Sequence, residues 1–96
     1  MAKKTLSKSI AEALTQFFQA NDIEVDAPPE HLVEAIREEV EPAIEKYKAG
    51  KTDYKAVGEA IWGTGIYVLR DITDEETKEY ATLMYGAIAS NGHLDR

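Results

Sequence analysis

The sequence predicts an all-α fold, an antiparallel up-down-up-down four-helix bundle, and three observations carry that reading. Apolar residues recur at three- and four-residue steps in four separate segments of the 96-residue chain. Residues that stop and start helices bound the segments, as at Asn21-Asp22 and Gly50 between them and at Asn91-Gly92 after the last. The link before the last segment is only Asp71-Ile72 or so, which forces an antiparallel hairpin. A helix with one apolar stripe is marginal alone and must bury it. A chain of this length sustains one core rather than two, so residues 1–96 form a single domain.

Helix 1 is expected over about 5–20, with Leu6, Ile10, Ala13, Leu14 and Phe17 on one face and Phe18 widening it. The alternating Ile23-Glu24-Val25-Asp26 is too short for a sheet and reads as a connector whose Ile23 and Val25 cap the core. Helix 2, about 28–48, opens at Asp26-Ala27-Pro28-Pro29, since proline suits a first turn and an acid suits a helix N-terminus. Its stripe is Leu32, Val33, Ile36, Val40, Ala43, Ile44 and Tyr47. The stripe keeps phase across Pro42, which predicts a kinked second helix rather than a stop. Lys46, Lys48 and then Gly50 suit its C-terminal end.

Helix 3, about 53–70, starts near Thr52-Asp53 and carries a wide apolar face of Tyr54, Val57, Ile61, Trp62, Ile66, Val68 and Leu69. Gly58, Gly63 and Gly65 each disfavour it by up to about 1 kcal/mol relative to alanine. Close approach of a neighbouring helix along Gly58 and Gly65 is the favoured explanation, and a soft helix 3 the other. Helix 4, about 74–90, begins with the capping box Thr73-Asp74-Glu75-Glu76 and buries Tyr80, Leu83, Met84, Ala87 and Ile88.

Net charge is −7 and unevenly spread, because residues 22–45 hold nine acids against Arg37 alone. Such a surface repels phosphate, so no direct nucleic-acid binding is expected, whereas a basic partner is attracted. Cysteine is absent, which rules out disulfides and thiolate metal sites. No stretch has the roughly 20 apolar residues of a membrane span, and Lys8 and Glu12 stand where a signal peptide would be apolar. A cytoplasmic location is expected.

Glu34, Glu38, Glu41 and Glu45 step along one face of helix 2, and this strip is either a solvated surface or a docking strip for a basic partner. A carboxylate metal centre in a bundle uses Glu-x-x-His on two helices. Here His31-x-x-Glu34 is reversed and occurs once, so no metal or other cofactor is expected. Trp62-Gly63-Thr64-Gly65 lacks the strand before it and the Gly-Lys-Ser/Thr of a phosphate loop. With two distant histidines no nucleophilic triad is available, and no enzymatic activity is expected. Trp62 and most tyrosines fall at stripe positions, where burial is the default; Tyr67 and Tyr85 lie at stripe edges, where aromatics can anchor an interface.

Several segments together resemble the immunity proteins of pediocin-like (class IIa) bacteriocins, of the enterocin A immunity type, over roughly residues 9–92. They are Ile10-Ala11-Glu12-Ala13-Leu14, Leu32-Val33-Glu34-Ala35-Ile36, Lys46-Tyr47-Lys48 and the junction Leu69-Arg70-Asp71-Ile72-Thr73-Asp74-Glu75-Glu76. The resemblance implies a cytosolic bundle without enzymatic activity. It would protect a producer cell by protein–protein contact with the bacteriocin-bound receptor, membrane components of the mannose phosphotransferase, with peripheral proximity to the membrane. It also implies that the C-terminal half determines which bacteriocin is resisted. Arg70 at the junction and His93 in the tail stand with the four glutamates, Tyr67 and Tyr85 as partner-binding candidates, none of them carried over from a family motif. The alternative is an acidic inhibitor from a phage or mobile element that mimics DNA against a restriction or CRISPR nuclease.

Overall fold

The computed structural model describes residues 5–23, 28–70 and 72–95. Four α-helices, α1 (Leu6–Ala20), α2 (Glu30–Lys48), α3 (Tyr54–Thr64) and α4 (Asp74–Ser90), form the bundle, and there is no strand among the described residues. A π-helical segment, Gly65–Leu69, continues α3 without a break. Each helix packs on its neighbours in chain order and α1 closes the ring on α4, while the backbones of the diagonal pairs α1/α3 and α2/α4 stand farther apart. The particle measures 38 × 32 × 20 Å.

Local chemistry explains most of the boundaries. Thr5 caps α1 by accepting from the Lys8 amide at 3.1 Å, and Asp53 caps α3 by accepting from the Lys55 amide at 3.0 Å. Thr73 and Glu76 exchange bonds of 3.1 and 2.9 Å at the start of α4, a complete capping box. At the other ends the chain turns with a left-handed residue, Asp22, Gly50 and Gly92 in turn. Each of these ends is a Schellman motif, with Ile23, Lys51 and His93 donating back to the carbonyls of Phe18, Lys46 and Ile88.

Ile10, Leu14, Phe17, Ile36, Val40, Val57, Ile61, Met84 and Ile88 form one buried core with Tyr80. Phe17 meets that ring edge-on, with centroids 5.7 Å apart at 75°. The Tyr80 hydroxyl lies 2.6 Å from Thr64 Oγ1, which itself donates to the Ile61 carbonyl at 2.6 Å. The Tyr80 hydroxyl is thereby satisfied. Burial pushes its pKa up to about 12, although the Thr64 hydrogen bond offsets part of the rise.

Several expectations need correcting. Helix 2 starts at Glu30, not 28; Pro29 is its N-cap and makes no side-chain cap bond, and Asp26 and Ala27 lie outside the described residues. The helix does run through Pro42, whose position faces solvent, where a carbonyl displaced by the ring can still find water. Ile23 does not cap the core, being 44% exposed, and Val25 is outside the described residues.

The third helix departs furthest. Its α-helical part stops at Thr64, and Tyr54, Trp62 and Ile66, expected within the apolar face, are exposed. Close helix packing holds at Gly65 alone, where a Cβ would come within 3.1 Å of Thr77 Cγ2 and 3.2 Å of Tyr80 Cδ2. A Cβ on Gly58 or Gly63 would meet nothing within 4 Å. The Thr64 hydroxyl bonds back along the helix while Gly63 and Gly65 weaken it, and this is where the tighter α pattern gives way to the wider π turn.

Candidate partner-binding surface

The four helix 2 glutamates do not act as one strip. Glu34 is tied to Arg37 at 2.7 Å, and Arg37 Nη1 also donates to Ser7 Oγ on α1 at 3.4 Å. That end of the strip belongs to the α1/α2 seam. Glu38 instead lines a cleft of about 450 Å³ between α2 and the α3–π segment. Glu41 and Glu45 are exposed and are not among the residues that line this cleft.

The cleft has an apolar, small-residue floor and an acidic rim. Ala35, Ala60, Gly63, Thr64 and Val68 form the floor and walls, with Glu38 and Glu39 contributed by α2 and Glu59 by α3. Tyr67 borders it from the π segment, with 77% of its surface open to solvent. Among the described residues none of the three glutamates takes part in an ion pair. Their charges therefore add rather than cancel at the mouth.

Sequence reading found Glu38 and Tyr67 but missed Glu39 and Glu59. Glu39 is off the four-three-four rhythm that singled out its neighbours. Glu59 is a lone acid between Gly58 and the apolar Ala60-Ile61-Trp62, with no charged neighbour to mark it. The usable signal was that helices consecutive in a bundle share a groove, so acids flanking the facing stripes of α2 and α3 belong together.

The remaining candidates lie elsewhere. Tyr85 lines a shallow groove on the α3/α4 side with Trp62, Lys78, Ala81, Thr82 and Gly86. Its pKa is raised, first by desolvation and then by the nearby hydroxyls of Tyr47 and Tyr54. Arg70 is exposed just past the π segment, with φ 52° and ψ −176°, a backbone region that costs a non-glycine residue roughly 1–3 kcal/mol. Its Nε donates to the Tyr67 carbonyl at 3.3 Å, which ties the strained residue to the cleft's edge. His93 is half-buried, with Nε2 3.0 Å from Oγ of the buried Ser9, so it fastens the tail to α1.

No group of three or more potential metal ligands occurs among the described residues. No helix of the described residues is long and apolar enough to cross a membrane. Comparison with protein-family models, with curated proteins and with solved structures finds no match for this chain.

Proposed function

We propose that this chain is an immunity protein against a pediocin-like, pore-forming bacteriocin, acting from the cytoplasm and without catalysis. It would do so through protein–protein contact at the bacteriocin-bound receptor, the membrane components of the mannose phosphotransferase. The observation that supports a contact function is where the bundle leaves its large apolar side chains. Tyr54, Trp62, Ile66 and Tyr67 all stand in solvent on α3 and the π segment. A bundle that needed only to fold would gain by turning such residues inward. Exposed aromatics are the usual anchors of protein interfaces. One of them, Tyr67, borders an acidic cleft, which suits a cationic peptide or a basic partner surface.

The second reading, a DNA-mimicking inhibitor, is favoured by the exposure of Glu38, Glu41 and Glu45 along one helix. It gives no role to the aromatic edge. Expression in a sensitive Gram-positive strain, followed by challenge with a panel of class IIa bacteriocins, tests the immunity reading. Survival against at least one bacteriocin is expected, and unchanged killing across the panel rejects it.

A further inference from the structure

We infer that the cleft between α2 and the π segment is a docking groove for a lysine- or arginine-bearing amphipathic segment of a partner. The inference rests on the contact reading above and specifies where contact is made and what chemistry the partner brings. Two walls face each other across the cleft, Glu38 and Glu39 on α2 and Glu59 on α3. Carboxylates on both walls match a cationic chain lying between them. A second copy of this chain is a poor occupant, since its own net charge is −7. Phosphate-bearing ligands are repelled for the same reason of sign.

The floor decides between a bare cation and a side chain with an apolar body. Ala35, Ala60, Gly63 and Val68 offer little polarity, and the Thr64 hydroxyl is already engaged with Tyr80 and Ile61. A lysine or arginine stem lies well on such a surface while its charged head stays at the wet, acidic rim. The exposed ring of Tyr67 at the cleft's border adds a face for the same cation. Gly63 has no contact that a Cβ would disturb, so its lack of a side chain serves the floor's depth rather than helix packing. With the carboxylates at an open rim, the electrostatic part of binding is steering and is weakened by salt.

The test is a titration of isotopically labelled protein, followed by amide NMR shifts, with a short capped peptide alternating lysine and leucine. A peptide with glutamate in place of lysine serves as control. The expected result is saturable shifts confined to residues 35–39 and 59–68, absent with the glutamate peptide. The triple variant Glu38→Gln/Glu39→Gln/Glu59→Gln should bind about tenfold more weakly or worse, and Tyr67→Ala should bind more weakly than the unaltered protein. Glu41→Gln/Glu45→Gln/Glu75→Gln, which removes the same total charge outside the cleft, should change affinity less than about twofold. Equal weakening by both triple variants, shifts scattered over every acidic surface, or no binding would overturn the inference.

All of these substitutions are at solvent-accessible positions, and the helical circular dichroism of each variant checks that the bundle is intact. The immunity assay on the same proteins separates the two readings. Protection without peptide binding overturns the groove alone, whereas binding without protection keeps the groove and rejects immunity.

Discussion

Tyr80 is the residue on which the interior is organised, and its chemistry has a measurable consequence. Its ring is fully buried against Phe17 and its hydroxyl is held by Thr64. In the unfolded chain a tyrosine loses its proton near pH 10, whereas here burial holds the pKa at about 12. Between those values the unfolded state binds fewer protons than the native one, so stability falls as pH rises. The slope from this group is about 1.4 kcal/mol per pH unit. Tyr80→Phe should lower stability by about 1 kcal/mol at neutral pH. It should also flatten the alkaline limb of a urea-melt series taken between about pH 9.5 and 12. An unchanged alkaline slope would mean that the buried hydroxyl is not what titrates.

At the scale of elements, legibility followed how local the deciding interactions are. Helix α4 begins and ends where the sequence placed it, because its capping box and its Asn91-Gly92 stop act within a few residues. Helix 1 likewise needed only Thr5 and the Asn21-Asp22 exit. Helix 3 was misread because its seven-residue apolar face is wider than two flanking helices can cover. In the ring, α3 runs beside only α2 and α4, so Trp62 and Ile66 are left outside. The end of α3 was legible only as a softness at its glycines, since the contacts of Gly65 and Thr64 with Thr77 and Tyr80 come from another helix. Two substitutions separate the glycine roles. Gly58→Ala should stabilise by about 0.5–1 kcal/mol, as helix propensity dictates when nothing is in the way. Gly65→Ala should destabilise by about 1–3 kcal/mol by pressing on two buried side chains. Thermal melts of both proteins decide this, and a stabilising Gly65→Ala would show that the α3/α4 contact yields easily.

For the molecule as a whole, charge is the term left unbalanced. The chain carries −7, and the stretch 22–45 holds nine acids against one base. Arg37 is committed to Glu34, which leaves Glu38, Glu39, Glu41 and Glu45 with their charges side by side. Screening that repulsion should raise the melting temperature by a few degrees between about 0.02 and 0.5 M sodium chloride. A melting temperature that falls with salt would mean that ion pairs outweigh repulsion. The acid excess was plain in the sequence, and its division between a seam and a cleft was not. That division is set by which neighbour each side of α2 faces, Ser7 on one side and Glu59 on the other.

The wide turn after Thr64 amounts to spare chain. A π turn takes up one residue more than the α turn it replaces, so a version of this protein one residue shorter between Thr64 and Arg70 would coil regularly. The extra residue is taken up inside the wide turn, so its removal would leave the flanking residues close to their present phase. Val57 and Ile61 could keep their places, and the change would be confined to the few residues of the turn, Tyr67 among them. Gly65, pressed against Thr77 and Tyr80, shares that turn with Tyr67, so any edit to it touches the interior and the rim of the cleft together.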